Sequence, residues 1–380
     1  MNAPDDRVFH EGECLMQARV GMRERMAALG AHLIRPFMAE QHQAFFAQLP
    51  FVIVGSVDAE GQAWASILAG SPGFIGSPDP HHLRIRARPP VTDPLHQNLI
   101  AGASIALLGI EPHTRRRNRM NGIVERIDDD GILVGVQQSF GNCPKYIQAR
   151  QADYAKREGA EAVHTATALD ERSRPIVAHA DTLFIATAHP GANHATVLIR
   201  LSQTAKTDAI FQVRSGMALR FPATTDGSDA DLQANSASKW EFLFSVCDNR
   251  ISTHATTQAH GVDMSHRGGK PGFVRIDNDR TLTIPDFSGN RFFNTLGNIV
   301  LNPRAGLLFI DFESGNVLHI ATAAEIIFDG PELDAFAGAE RLLRLTIRHV
   351  THRVASLPLR WKGDAQMSPY LANTGRWMPT

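Results

Sequence analysis

Short apolar runs separated by turn residues organise much of the chain. FVIVGSVDAEGQAWASILA, residues 51–69, sets two such runs around Asp-Ala-Glu-Gly, the pattern of a β-hairpin. HLRIRAR and TLTI alternate apolar and polar residues, as half-buried strands do, whereas SIALLGI and AGLLFIDF are continuous apolar runs suited to buried strands. NRFFNTLGNIVLNP spaces Phe292, Leu296, Ile299 and Val300 along one face of a short helix that must stop before Pro303. Several short strands with interposed helices predict a mainly β (α+β) protein built on small, partly closed antiparallel barrels.

The runs repeat. Ser66 precedes Phe74 by eight positions and Ser265 precedes Phe273 by eight; Leu83 follows Phe74 by nine and Leu282 follows Phe273 by nine. Leu83 to Leu107 spans 24 positions and Leu282 to Leu307 spans 25. Four landmarks in near-constant register predict two copies of one unit. The expected organisation is an N-terminal helical extension (1–48), a first barrel with a linker helix (49–150), a linker (151–177), a second barrel (178–330) and a C-terminal helix and tail (331–380). Residues 11–48 have helical periodicity broken near Pro36, which predicts two helices, and PKYIQARQADYAKREGA reads as a helix joining the copies. The second copy is longer: Val54 to Ser66 is 12 positions and Ala186 to Ser265 is 79, so an insertion of about 67 residues is expected at about 191–260. ATVLIRLSQ, AIFQV and KWEFLFSV within it could form extra strands, as a lid or small subdomain.

Composition limits the classes of function. A net charge of -1 with balanced acidic and basic residues gives no reason to expect nucleic acid or a membrane surface as partner. Three cysteines (Cys14, Cys143, Cys247) are far apart and lack CxxC spacing, which argues against a disulfide framework or thiolate zinc site and makes a reducing cytoplasm the simplest compartment. The acidic start MNAPDDRVFHEGE does not read as a signal peptide, and no apolar run approaches the ~20 residues of a membrane span. Cys143, in NCPKY, reads as packing more than as a redox thiol. His189, His194, His254, His260 and His266 have no fixed ligand spacing, so no metal site is expected.

Candidate chemistry concentrates in SHRGGKPGFVRIDNDRTLTIPDFSGNR, residues 265–291. A core strand does not need Arg267, and an ordinary turn does not need Asn290 and Arg291 together. Two guanidinium forks beside a Gly-Asn turn, near a helix start, suit an anion such as phosphate. In the first copy the corresponding stretches are SILAG and RPPVTDPL, without the arginines of SHRGG and GNR, but RRRNRMNG carries Arg117, Arg119 and Asn121. No serine triad, paired carboxylate motif or Walker loop suggests another chemistry.

The run from Ser265 to Asp311, with S-x-R-G, P-G-F, P-D-x-x-G-N-R and N-P-x-x-G-L-L-F, resembles the flavin-nucleotide-binding branch of the pyridoxamine 5'-phosphate oxidase-like family of FMN-binding split barrels. RMNG and the C-P-K segment of the first copy resemble later motifs of the same branch; together the likeness covers about 45–150 and 178–330. It implies two tandem split barrels forming a pseudo-dimer, with FMN in the groove between them. Only one groove combines both motif sets, so one FMN per chain is implied. The implied cofactor contacts are Ser265, His266, Arg267, Gly268, Pro285, Asp286, Gly289, Asn290, Arg291 and Asn294, with Arg117, Arg119 and Asn121 from the other barrel. The resemblance singles out no catalytic residue. It implies an oxidoreductase acting on a small molecule or oxygen, with electrons from NAD(P)H or a separate reductase, and it is compatible with a further homodimer. The alternative is a flavin or haem carrier or sensor.

Overall fold

The computed structural model describes residues 8–156, 162–199, 209–214 and 261–377. Three helices precede the first strand: α1 (Glu11–Arg19), α2 (Arg23–Leu33) and α3 (Glu40–Ala47). Two were expected. The additional break is Gly21, which sits at φ +67° where other residues are disfavoured, while Pro36 separates α2 from α3 as the pattern predicts. α3 packs Phe45 and Phe46 on the first sheet at Gly109, where a Cβ would lie 2.8 Å from the Phe46 ring.

The first sheet contains β1 (Phe51–Val57), β2 (Ala63–Ala69), β3 (Ile75–Asp79) and β4 (His82–Ile85), then a short helix α4 (Pro94–Asn98), then β5 (Ser104–Glu111), β6 (Arg116–Asp128) and β7 (Gly131–Gly141). Its strand order is β2-β1-β5-β6-β7-β4-β3, every neighbour antiparallel. After β8 (Ala149–Tyr154), β9 (Ala162–Ala166) and α5 (Ser173–Ala178), the chain enters β10 (Thr182–Ala188), a hairpin of β11 (His194–Ile199) and β12 (Ala209–Arg214), β13 (Val262–Gly268), β14 (Arg275–Asn278) and β15 (Thr281–Phe287). Helix α6 (Asn294–Leu301), β16 (Arg304–Ile310), β17 (Val317–Ile327), a one-turn α7 (Pro331–Asp334), β18 (Ala339–Val354) and β19 (Leu359–Gln366) complete it.

The second sheet runs β13-β10-β16-β17-β18-β15-β14, with β9 added beside β18. Reading β10 for β1, β13 for β2 and β16 to β18 for β5 to β7, its order is that of the first. Register agrees at the landmarks. Val54 lies opposite Ser66 and Leu107; Ile185 lies opposite Ser265 and Leu307. The partner of Ser265 is therefore Ile185 rather than Ala186, which lengthens the insertion by one residue. Of the insertion expected at 191–260, β11 and β12 form a separate two-stranded sheet, while residues 200–208 and 215–260, with the strand expected in KWEFLFSV, lie outside the described residues.

Two expected helices are strands. The linker helix is replaced by β8, which pairs antiparallel with β19. Tyr146, at φ +64°, interrupts any helix from the C-P-K segment, and cross-strand hydrogen bonds override the local helix propensity beyond it. The helix and tail expected over 331–380 contribute β18, which lies between β17 and β15 inside the second sheet. Leu343, Leu345 and Ile347 are buried on one face of it, the alternation of a strand rather than the 3.6-residue period of a helix.

The sheets meet through an apolar layer that includes Phe51, Ile53, Phe184, Met264 and Leu308. Contact reaches the backbone: a Cβ on Gly306 would lie 2.3 Å from the Ala63 carbonyl oxygen, and Gln62 Nε2 donates to the Ala305 carbonyl at 3.0 Å. This seam carries β6 across to β13. Among the described residues, no helix is long and apolar enough to cross a membrane.

Candidate anion-binding cleft between the sheets

At one end of the seam β6, β13, the β15–α6 turn and β18 line a cleft that opens to solvent. Arg117, Arg119, Ser265, His266, Arg267, Asp286, Gly289, Asn290, Arg291 and Asn294 all line it. An adjoining cleft shares Arg117, His266, Arg267 and Gly289 and adds Pro285, Gly268, Tyr146 and Lys145. Asn121 is not brought to either. It lies further along β6, where its amide donates to Gln138 Oε1 at 3.2 Å.

Arg119 is buried and committed to the seam. Its Nη1 donates to Asp263 Oδ1 at 2.6 Å and to Asn294 Oδ1 at 2.8 Å, and its Nη2 donates to Ser265 Oγ at 2.6 Å. Burial pushes the Asp263 carboxyl above the usual range, and the Arg119 charge opposes that shift. Arg119 thus fixes β6 against β13 and the start of α6. Arg117 donates through Nε to the Cys143 carbonyl at 2.8 Å and through Nη1 to His266 Nδ1 at 3.3 Å. Burial first, then the Arg119 and Arg267 charges, lowers Arg117 to about 10, with the Cys143 thiol acting in the opposite direction. A guanidinium only donates, so His266 accepts at Nδ1 and carries its proton on Nε2. Burial and the neighbouring Arg117, Arg267 and Arg150 hold the imidazole well below its ordinary pKa, hence neutral.

The opposite wall is the turn from Gly289 to Phe293. Arg291 and Phe293 adopt φ +67° and +62°, a left-handed conformation costly for side-chain-bearing residues and often found where a site holds the backbone in place. Asn290 Oδ1 accepts the Phe292 N–H at 3.1 Å, and its Nδ2 donates to Asn142 Oδ1 at 3.2 Å, tying the turn to the first half. Both Nη atoms of Arg291 donate to the Glu340 carboxylate at 2.6 Å. Arg267 pairs with Asp286, which also accepts from Arg341 Nε at 2.9 Å. α6 starts at Asn294 with no side-chain cap, and Asn294, Thr295 and Leu296 of its first turn line the cleft.

Several polar groups here are built for something the chain does not supply. Among the described residues, Arg267 Nε, His266 Nε2 and Asn142 Nδ2 are buried without a hydrogen-bond partner. Gly289 has open space where a Cβ would stand and no positive φ, so neither packing nor backbone geometry asks for glycine there. Gly268 differs: the Tyr146 carbonyl oxygen lies 2.0 Å from its would-be Cβ, so this glycine lets two chain segments cross. Orphaned donors, clustered guanidiniums and an uncapped helix start fit a phosphate group.

The sequence reading missed Arg341, Glu340, Asn142 and Asp263. Arg341 and Glu340 lie at the start of β18, in the segment expected to be helix and tail. Strand alternation downstream at Leu343, Leu345 and Ile347 was the available signal. Asn142 and Asp263 carried none, because their roles depend on the seam.

The other groove is chemically different. Arg119 lies opposite Leu108, and His319 lies opposite Leu308, so His319 takes the Arg119 position there; Val317 likewise takes that of Arg117. Ser66 Oγ donates to Asp93 Oδ1 at 2.6 Å, and Asp93 Oδ2 accepts from Arg353 Nη1 at 2.7 Å and lies 3.7 Å from His319 Nε2. The same Asp93 caps α4 by accepting the Leu95 N–H at 2.9 Å. A carboxylate of the chain itself is therefore buried where the first groove has an open helix start.

Residues 38–165 match the family model described as Pyridoxamine 5'-phosphate oxidase. No curated protein matches the chain. Among solved structures, the crystal structure of a Group A Streptococcus HupZ variant is similar to 24 % of this chain and 79 % of its own, at 14 % identity and a TM-score of 0.20.

Proposed function

Since residues 38–165 match the pyridoxamine 5'-phosphate oxidase family model, we propose that the chain is an FMN-binding flavoprotein of that family type, built as a fused pseudo-dimer of two split barrels. A single FMN lies in the cleft between them, and the protein acts as an oxidoreductase on a small molecule or oxygen, with NAD(P)H or a separate reductase as electron source. The observation that carries this reading is the convergence of five guanidiniums, Arg117, Arg119, Arg267, Arg291 and Arg341, with the open start of α6 on one cleft. A phosphate monoester brings close to two negative charges and three acceptor oxygens. Arg267 and Arg291 would hold the phosphate from the second barrel, and Arg117 would complete its surroundings from the first. Arg119 would act by positioning. Tyr146, Pro285 and Phe287, in the adjoining cleft, would border the ring system. When bound, the isoalloxazine ring supplies the electron-transfer chemistry. Neutral His266 would offer its Nε2–H to an acceptor on cofactor or substrate.

The second groove supports a stoichiometry of one, because Asp93 already neutralises Arg353 there and a phosphate would meet its repulsion. The absorption spectrum of the purified protein separates flavin from the haem alternative by the presence of flavin bands or a Soret band. Titration with FMN is expected to saturate at one equivalent per chain, and substitution of exposed Val91 or of Thr92 by alanine should leave that unchanged. Two equivalents, or a Soret band without flavin binding, would overturn the reading.

A further inference from the structure

α1 belongs to the N-terminal extension, outside the span that matches the family model, yet it reaches the cleft from behind. It crosses α6 at two glycines: a Cβ on Gly12 would lie 2.2 Å from the Gly297 carbonyl oxygen, and one on Gly297 would lie 2.5 Å from the Glu13 nitrogen. That approach buries Glu13. Its Oε2 accepts the His10 N–H at 2.9 Å, closing a capping box on α1, and its Oε1 accepts from Asn294 Nδ2. Asn294 in turn accepts from Arg119 at 2.8 Å, and Gln17 Nε2 donates to the Phe292 carbonyl at 3.2 Å. An unbroken hydrogen-bonded path therefore runs from the Glu13 carboxyl through the first residue of α6 to the arginine that pins the seam.

We propose that Glu13 is a positioning residue for the cleft, and that its carboxyl, acting through Asn294 and Arg119, couples anion binding to the uptake of one proton. The proposal rests on the flavin reading for the identity of the anion. The charge inventory favours it. Five guanidiniums at the cleft are offset by Asp263, Asp286 and Glu340, leaving two positive charges in excess when Glu13 is neutral and one when it is ionised. A phosphate dianion matches the first state. The ionisable groups facing Glu13 are the His10 imidazole from its own cap, with Nε2 3.7 Å from Glu13 Oε2, Asp263 from β13 and Arg119 from β6. Burial outweighs the favourable contacts and raises the Glu13 carboxyl to about 8, placing its titration near neutral pH.

The test is FMN affinity between pH 7 and 9.5, where the phosphate is already a dianion, for the parent, Glu13→Gln and Glu11→Gln. Parent affinity is expected to fall on the order of tenfold as Glu13 ionises beside the bound anion. Glu13→Gln should flatten that profile, and Glu11→Gln, on the exposed side of α1, should keep it. Calorimetry of the parent in buffers of different ionisation enthalpy gives the second readout, with net proton uptake on binding near pH 8. A pH dependence shared by Glu13→Gln, or binding of the parent with no proton uptake, overturns this inference while leaving the flavin reading intact. Failure of the parent to bind FMN at any pH overturns both.

Discussion

Arg119→Ala is expected to lower the stability of the folded chain by about 3–5 kcal/mol, the usual cost of removing one partner of a buried ion pair. Asp263 is 3 % exposed, and the substitution strips it of its guanidinium while also removing the donors to Ser265 and Asn294. The denaturant midpoint should fall with little change in slope, because the loss is local and the surface exposed on unfolding is unchanged. Adding Asp263→Asn should recover part of the loss, since an amide tolerates that position without a counter-charge. FMN should bind more weakly as well, because Arg119 fixes the start of α6. An unfolding free energy within about 0.5 kcal/mol of the parent's would show that the pair contributes little to holding the barrels together.

Arg291→Ala should act on binding instead. Arg291 and Glu340 form a partly exposed pair at the rim, so its loss should cost the fold less than about 1 kcal/mol. A phosphate would lose a charge-assisted hydrogen bond worth about 1.5–3 kcal/mol, or roughly 10- to 150-fold in affinity. Glu340 would keep Arg341, which donates to it at 2.6 Å, but with Arg291 gone its charge would be less fully offset and would repel the anion, and Glu340→Gln in the parent should strengthen FMN binding. Opposite signs at two residues that pair with each other are hard to attribute to altered folding. Fluorescence titration measures both, and an Arg291→Ala protein binding FMN as tightly as the parent would place the clamp elsewhere.

Glu13 also predicts a trend in stability. Its folded pKa is raised above the ordinary carboxyl value of 4.5, so its contribution is fully present below that value and is lost as pH rises through about 8. Thermal melts between pH 6 and 9 should therefore show a decline that Glu13→Gln reduces. An identical decline in the two proteins would mean that other groups dominate.

Sequence alone determined the elements whose information is local. Strand alternation, the turn residues around them and the spacing of Ser66, Phe74, Leu83 and Leu107 against Ser265, Phe273, Leu282 and Leu307 define two β units, because each pattern reports which face its own segment buries. The clustering of arginines with a glycine-rich turn in SHRGG and GNR was legible for the same reason: they lie within one short stretch. Segment type failed where pairing partners were distant. β8 reads as helix until β19 supplies its hydrogen bonds, and β18 was assigned to a tail although its alternation was visible. Only the tertiary structure decided what each of these polar side chains meets. It commits Arg119 to Asp263, pairs Arg291 with Glu340, leaves Asn121 beside Gln138, and brings Glu13 from the N-terminal extension behind Asn294. The Arg119–Asp263 and Glu13–Asn294 contacts join residues 144 and 281 positions apart, and the other two join different strands or turns, so no local pattern encodes where these groups meet.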